Sequence, residues 1–223
     1  MSFLLHIDTA VQSASVCLAA DAQPLSLEIN PDQKEGAAWL HTAVEAMLKE
    51  NGLAASRLDA ISVSAGPGSY TGLRVGMAAA KGLCFALNIP LILVNSLQMM
   101  AAAATAEKAA LLCPMIDARR MEVFTGVFDK SLETVVPASN LILENHDFDR
   151  LLESHTICFF GNGSTKFRTM MQSPNASFAN IEANASHLSS LAYKKFRAHD
   201  FADLAYSEPF YGKDFHSPAK QSL

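Results

Sequence analysis

The residues with the most distinctive types and spacing form a glycine-rich loop that follows an apolar run. The loop contains three glycines, a proline, two hydroxyl side chains and a tyrosine, in the order Gly66, Pro67, Gly68, Ser69, Tyr70, Thr71 and Gly72. Glycine permits close backbone approach, and the first turn of a helix offers unpaired N–H groups to an anion. The pattern fits an anion-binding loop, and it fits equally a tight strand-to-helix turn in which Ser69 or Thr71 caps the helix.

Two common nucleotide-binding motifs do not match this loop. A Walker A loop requires Lys and then Ser or Thr after its last glycine, and these residues are absent after Gly72. The dinucleotide fingerprint G-x-G-x-x-G also fails, because the spacing from Gly66 is G-x-G-x-x-x-G. The loop therefore leaves both interpretations open.

Two other turns carry groups that suit a phosphate ligand. Asp8 and Thr9 end the first apolar run, where a carboxylate can organise a metal-bound water near a phosphate. Gly161 and Gly163 form a Gly-x-Gly turn whose backbone N–H groups can face the same ligand. Each turn alone is ordinary. Together they are consistent with a nucleotide cleft, without establishing that such a cleft is active.

No self-sufficient catalytic centre follows from the sequence. The seven histidines include no pair at i,i+4 spacing, so no helix offers a two-histidine metal grip. A G-x-S-x-G nucleophile elbow is also missing. The cysteines stand singly in apolar runs without a C-x-x-C pair, at Cys17, Cys84, Cys113 and Cys158. We predict no catalytic residue, no metal site and four buried, reduced thiols.

Size and charge restrict the class of protein. The chain has 223 residues, of which 50% are hydrophobic, enough for one large domain or two small lobes. Its net charge of -5 argues against a protein that holds nucleic acid alone through the phosphates. No export signal is recognisable, and polar residues interrupt the longest apolar segment, 75–104, short of the roughly 20 residues that span a bilayer. We expect a cytoplasmic protein without membrane contact.

The hydrophobic pattern predicts an α/β chain of two lobes, residues 1–104 and 105–223. The first lobe is predicted as βββαβαβα, with strands at 3–7, 14–20, 24–29, 60–64 and 91–94 and helices at 35–51, 73–87 and 96–108. The second lobe is predicted to contain strands at 110–117, 122–128 and 156–160 and a helix at 186–199. Polar residues dominate 129–150, where no strand is predicted.

The first two helices have more apolar surface than one lobe needs. The apolar arc of helix 35–51 covers roughly 200°, where a surface helix needs about 100°. In helix 73–87 only Arg74 and Lys81 are charged, and their spacing of seven residues puts them on one stripe. The excess surface is either buried under neighbouring elements or is one side of an intermolecular helical bundle. For the bundle, the predicted contact residues are Trp39, Ala43, Met47, Arg74, Met77, Ala78 and Lys81.

Four runs of the sequence, at residues 6–10, 58–76, 80–83 and 90–97, closely resemble the TsaB (YeaZ) family of the bacterial tRNA threonylcarbamoyladenosine system. The run at 66–74, Gly-Pro-Gly-Ser-Tyr-Thr-Gly-Leu-Arg, is specific to that family, and the similarity is strong over about the first 105 residues. The resemblance implies a two-lobed actin-like, sugar-kinase-like and Hsp70-like (ASKHA) fold. It also implies that the Asp8 turn and the Gly161 turn occupy the places of the phosphate loops.

The resemblance further implies a scaffold role without catalysis. Family members dimerise with TsaD, the catalytic subunit that transfers a threonylcarbamoyl group to N6 of adenosine 37 in tRNAs that read codons starting with A. The ATPase TsaE joins that pair. By this analogy the chain binds TsaD through its N-terminal helices, forms a homodimer when alone, meets tRNA only indirectly and requires no cofactor, with weak binding of ATP or ADP left open. The alternative is an active nucleotide-dependent phosphotransferase or ATPase of the same fold, using Asp8 and the Gly161 turn.

Overall fold

A computed structural model of the chain describes residues 1–11, 13–30, 36–144 and 146–212. The first lobe contains the strands β1 (Phe3–Asp8), β2 (Ser15–Ala20), β3 (Gln23–Ile29), β4 (Ala60–Ser64) and β5 (Leu91–Val94). Its helices are α1 (Gly36–Glu50), α2 (Tyr70–Leu87) and α3 (Ser96–Ala103). The predicted order βββαβαβα is confirmed, although α3 ends earlier than the sequence indicates and Glu35, the predicted start of the first helix, lies outside the described residues.

The five strands form one mixed sheet in the order β3-β2-β1-β4-β5. β1, β2 and β3 are antiparallel neighbours, whereas β4 and β5 run parallel to β1. Successive side chains of a strand point to opposite faces, so Leu5 and Ile7 face one way and His6 and Asp8 the other. Both sets are buried, because helices cover both faces of the sheet.

One face of this sheet packs against α1 and α2. Leu5, Ile7, Leu40, Met47 and Met77 belong to the same buried cluster. The inner faces of both helices are therefore part of the core of the first lobe, and only their outer faces are available to a partner.

The second lobe has its own mixed sheet. Its strands are β6 (Leu111–Asp117), β7 (Glu122–Asp129), β8 (Thr134–Ile142), β9 (Ile157–Phe160) and β10 (Ala176–Phe178), in the order β10-β9-β6-β7-β8. The short helices α4 (Asp149–Leu152) and α5 (Ser164–Arg168) belong to this lobe. Phe148, Phe159 and Phe167 pack edge to face in its core, with ring centroids 5.1 to 5.3 Å apart.

Two strands of the second sheet were missed by the sequence analysis. β8 lies at the edge of the sheet, is largely exposed and contains Pro137, a residue that edge strands tolerate because one row of their backbone groups needs no partner. β10 has only three residues. Neither segment shows the apolar alternation from which a strand is predicted.

The C-terminal part of the chain returns to the first lobe. A 3-10 turn (Ala185–Leu188) and α6 (Ser189–Arg197) cover the sheet face opposite α1 and α2, where Leu188 is buried with Leu4 and Cys17. The Ala185 N–H donates to Ser15 Oγ at 2.9 Å. Further on, Ala202 forms an antiparallel bridge with Leu91. The stretch 105–223, predicted as the second lobe, thus includes segments within 185–211 that contact the first lobe.

Within the described residues, no helix combines the length and the apolar character needed to cross a membrane. The four cysteines are free and buried, as predicted.

Candidate functional site

The glycine-rich loop lies directly against the turn that follows β1. Ser69 is the N-cap of α2, since its Oγ accepts a hydrogen bond from the Gly72 N–H at 3.2 Å. The Ser69 N–H itself donates to the carbonyl oxygen of Ala10 at 2.7 Å. Of the two caps that the sequence allowed, Ser69 is the one used.

Three glycines allow this close approach. A Cβ atom would overlap the Ala10 carbonyl at Gly68, the Thr9 carbonyl at Gly72 and the Thr9 hydroxyl at Gly76. The Thr9 hydroxyl in turn donates to the Gly72 carbonyl oxygen at 2.7 Å. Internal packing therefore accounts for glycine at these positions, and the hydroxyl of Thr9 is engaged within the protein.

Asp8 is fully buried and does not reach a cleft. Its Oδ1 accepts hydrogen bonds from Ser64 Oγ and from the Ala10 N–H, while its Oδ2 has no hydrogen-bond partner among the described residues. Burial raises the pKa of Asp8 above its usual value, and the bonds from Ser64 and Ala10 only oppose that effect. A buried carboxyl of this kind is poorly placed to organise a metal-bound water.

His6 is enclosed on the same face of β1. Its Nδ1 lies 2.7 Å from Ser62 Oγ, and its Nε2 has no hydrogen-bond partner in the part of the chain that the structure describes. Burial lowers the pKa of His6 to about 3, so the ring is neutral near pH 7.

A cavity of about 790 Å³ lies between the two lobes. Residues of the glycine-rich loop line one wall, whereas Asp117, Arg119 and Asn162 line the other. Its size suits a small-molecule ligand. Four residues were predicted to bind a nucleotide, and none of them lines this cavity: Asp8, Thr9, Gly161 and Gly163.

The structure places the two glycines of the Gly161 turn against backbone. Gly161 adopts a φ of 89°, and a Cβ there would crowd the Met115 carbonyl. A Cβ at Gly163 would lie 3.0 Å from the carbonyl carbon of Ile116. The turn therefore serves packing onto β6, and the Asn162 side chain between the glycines is the part that reaches the cavity.

The second-lobe wall of the cavity is a strained turn between β6 and β7. Arg119 and Arg120 have φ angles of 70° and 50°, which lie in a region of backbone conformation that residues other than glycine rarely occupy. Lys166 stabilises the turn, because its Nζ donates to Asp117 Oδ1 at 2.7 Å and to the carbonyls of Arg120 and Glu122 at 2.7 and 2.8 Å. The hydrogen bond from Lys166 lowers the pKa of Asp117 below its usual value. The sequence indicated a turn here but gave no sign of the Lys166 contact.

A second surface lies on the outer side of α1 and α2. A shallow groove of about 450 Å³ runs between the helices, lined by Ala37, His41, Val75, Ala78, Ala79, Gly82 and Leu83. Ala78 and Gly82 are exposed, and no described residue has an atom within 4 Å of the place where a Cβ on Gly82 would be. Apart from His41 the lining residues are apolar, and four of the seven are alanine or glycine.

The residues predicted to contact a partner fall into three groups. Ala43, Met47 and Met77 are buried in the core of the first lobe, which corrects their assignment to an interface. The sequence pattern shows that a residue is apolar. It does not show whether that residue is buried by the rest of its own lobe or is left for a partner. Ala78 is exposed in the groove, and Trp39 is half-buried at the edge of the core.

Arg74 and Lys81 contact residues 201–211, which we call the C-terminal strap. Lys81 Nζ donates to the carbonyl oxygens of Ala205 and Ser207, each at 3.1 Å. Arg74 Nε donates to the Tyr211 hydroxyl at 3.1 Å, and its guanidinium carbon lies 4.1 Å from the ring centre of Tyr70. The three hydrogen bonds to the strap bridge more than 120 positions of sequence, so local spacing carried no signal of them.

Among the described residues, no group of three or more His, Cys, Asp or Glu side chains is arranged to hold a metal ion.

Comparisons with known proteins give the family. The family model of TsaD, tRNA N6-adenosine threonylcarbamoyltransferase, matches residues 32–210. The tRNA threonylcarbamoyladenosine biosynthesis protein TsaB of Bacillus subtilis is 32% identical over 174 residues, which are 76% of this chain and 75% of that protein.

Solved structures give the same result for the fold. YeaZ from Pseudomonas aeruginosa superposes with a TM-score of 0.80 at 29% identity, over 95% of this chain and 100% of that one. The activator of 2-hydroxyisocaproyl-CoA dehydratase from Clostridium difficile, with bound ADPNP, has a TM-score of 0.50 at 8% identity over 89% of this chain and 97% of that one, a likeness of fold alone. The two lobes, each built on a five-stranded mixed sheet, match the fold of YeaZ and the two-lobed arrangement that the resemblance implied. The chain belongs to the TsaB (YeaZ) family of tRNA threonylcarbamoyladenosine biosynthesis proteins.

Proposed function

We propose that this chain is a non-catalytic scaffold subunit that binds TsaD and so supports threonylcarbamoyl transfer to N6 of adenosine 37 in tRNAs that read codons starting with A. TsaE joins the pair as a third subunit. The observation that carries the proposal is the apolar groove between α1 and α2, which the exposed Ala78 and Gly82 help to line. This groove is hereafter called the α1/α2 groove.

The α1/α2 groove has the form that a helix needs for close packing. Small side chains at Ala78 and Gly82 let the axis of a second helix approach to about 8–10 Å, and Val75 and Leu83 supply apolar contact. Gly82 lowers the intrinsic stability of α2 relative to alanine, and none of the described residues lies close enough to require glycine there. A helix of a partner that packs against α2 at this point would account for glycine there.

The match to the TsaD family model supports the choice of partner. That model covers α1 and α2 of this chain, so a TsaD protein is expected to carry an equivalent helix pair. Two such pairs pack against each other around an approximate two-fold axis. The same surface then explains a homodimer when TsaD is absent, because the α1 and α2 helices of two copies of this chain can pack against each other in the same way.

Two features support a role without catalysis. Asp8 is enclosed, and the Thr9 hydroxyl is bonded to Gly72, so neither faces the cavity between the lobes. The net charge of -5 favours contact with tRNA through a partner instead of directly. We further propose a cytoplasmic protein that requires no cofactor.

A phosphotransferase or ATPase is the second candidate. The cavity between the lobes favours it, since a space of about 790 Å³ bordered by Arg119 has room for a nucleotide. Calorimetry with ATP and Mg²⁺ separates the two functions. The scaffold function predicts weak binding at most, whereas tight binding with hydrolysis would establish the second candidate.

The scaffold function is tested by placing a charge in the α1/α2 groove. Ala78→Glu is expected to fold normally, to lose co-purification with TsaD and to abolish threonylcarbamoyladenosine formation, because a buried unpaired carboxylate opposes helix packing. Ala110→Glu is the matched control, since Ala110 is an exposed residue of the second lobe. The proposal is wrong if the Ala78 variant keeps both the complex and the modification.

A further inference from the structure

The C-terminal strap lies along α2. Lys81 holds Ala205 and Ser207, and Arg74, about two turns earlier on the helix, holds Tyr211. The Phe210 N–H also donates to the Ala65 carbonyl at 2.7 Å, just before the glycine-rich loop. The strap is thus attached at several points over the length of the helix.

Helix geometry places the strap and the α1/α2 groove on opposite sides of one exposed stripe. At about 100° per residue, Arg74 and Lys81 lie about 40° and 60° to one side of Ala78. Val75 and Ala79, which line the groove, lie about 60° and 100° to its other side. On this side of the first lobe, α1, α2 and the strap therefore lie side by side.

Two aromatic side chains project from this surface. Phe85 is 80% exposed and lies about 20° from Ala78 on α2, one turn after Lys81. Tyr206 is 85% exposed and sits between the two residues whose carbonyls Lys81 holds. Aromatic residues contribute much of the binding energy at protein interfaces, because they bury a large apolar area with few rotatable bonds.

We propose that the C-terminal strap is the third element of the TsaD-binding surface, with Tyr206 and Phe85 as contact residues and Lys81 as the residue that positions the strap. This inference rests on the proposed function, because it assigns the strap to the same partner as the α1/α2 groove. The argument for that partner is continuity. A helix that packs along Ala78 and Gly82 comes close to α2, so the strap on the other side of the exposed stripe is within reach of the same protein.

Lys81 is a positioning residue in this scheme. Its ammonium group is committed to two backbone carbonyls of the strap and is only partly exposed. Arginine at this position retains the charge and the donors, whereas methionine retains only the length of the side chain. A direct contact with TsaD is therefore assigned to Tyr206 and not to Lys81.

The experiment measures the Kd of the full-length chain for TsaD of the same organism, with melting temperatures as a check on folding. Tyr206→Ser is expected to weaken binding at least tenfold, the size of a strong interface contact, without a change in melting temperature. Phe85→Ser is expected to act in the same direction. Ile142→Ser is the control and should leave the Kd unchanged, since Ile142 is an exposed apolar residue on β8 of the second lobe.

A second set of variants tests the role of Lys81. Lys81→Met is expected to weaken binding, and Lys81→Arg to restore most of it. Adding Tyr206→Ser to Lys81→Met should weaken binding little further, because the unattached strap no longer presents the ring. Full additivity of the two changes refutes the positioning role.

The outcomes separate this inference from the function on which it rests. A normal Kd for Tyr206→Ser, together with loss of binding by Ala78→Glu, overturns the strap and leaves the α1/α2 groove standing. An effect of Phe85→Ser alone also overturns the strap, because Phe85 belongs to α2. Normal binding by Ala78→Glu overturns the proposed function, and the strap inference falls with it.

Discussion

The hydroxyl group of Thr9 donates a hydrogen bond to the carbonyl oxygen of Gly72 at 2.7 Å, and it joins the turn after β1 to the first turn of α2. In the nucleotide-cleft interpretation, the same turn faces a phosphate. Here the start of α2 lies against it, and the glycines of the loop provide the space. The segment that looks most like a ligand site thus attaches the helix that carries the α1/α2 groove.

This close contact makes Gly72 sensitive to substitution. Gly72→Ala is expected to lower the free energy of unfolding by about 1–3 kcal/mol, because its Cβ would overlap the Thr9 carbonyl and α2 would have to shift. Urea denaturation followed by circular dichroism measures the change.

Gly82→Ala is the matched control in the same helix. A Cβ there meets no atom of residues 1–11, 13–30, 36–144 or 146–212 within 4 Å, so alanine is expected to raise the free energy of unfolding by about 0.5–1 kcal/mol. Both variants are compared at a concentration at which the chain is monomeric. Equal effects of the two substitutions would contradict the packing account of Gly72.

Because Asp8 is enclosed, we expect its contribution to the free energy of unfolding to fall as the pH rises. Burial raises its pKa above that of the unfolded chain, so the folded protein binds a proton more tightly than the unfolded one. This contribution is present in full below the unfolded pKa, near 3.8, and is lost as the pH rises through the folded value.

Asp8→Asn should remove that dependence. Asparagine retains an oxygen that accepts from Ser64 and Ala10 but carries no charge, so we expect the variant to be at least as stable as the parent at pH 7. Urea midpoints from pH 4 to 8 provide the measurement. A strong loss of stability at pH 7 would instead mean that Asp8 is ionised and has a partner.

His6 predicts the opposite dependence on pH. Its pKa is lowered from 6.5 to about 3, so the unfolded chain binds the proton more tightly. The contribution of His6 to the free energy of unfolding is present in full above pH 6.5. Below that pH it falls by as much as about 1.4 kcal/mol per pH unit, until the pH reaches the pKa of His6 in the folded chain.

His6→Asn is the test of this acid sensitivity. The amide can still reach Ser62, and it does not titrate, so the loss of stability between pH 6.5 and 4 should be smaller in the variant. His187, whose pKa is also lowered by burial, contributes in the same direction, and a residual slope is therefore expected. An unchanged slope in the variant would assign the acid sensitivity to other groups.

Much of the first lobe could be predicted from local patterns. Alternating or continuous apolar runs mark β1 to β5, and Gly52 and Asn88 follow the ends of α1 and α2, where a left-handed residue commonly ends a helix. Each of these signals depends on neighbouring residues alone. β8 escaped prediction for the same reason, because an exposed edge strand leaves a weak local pattern.

The sequence by itself determined the family, the order of elements in the first lobe and the presence of an apolar helix pair. Only the tertiary structure decided which side of that pair is covered. It buried Met47 and Met77 against the sheet and left Ala78 exposed. It also turned Arg74 and Lys81 toward a strap that lies more than 120 residues away in the chain. The physical reason is that burial and hydrogen bonding depend on which distant segments meet in space, and spacing along one helix carries no record of them.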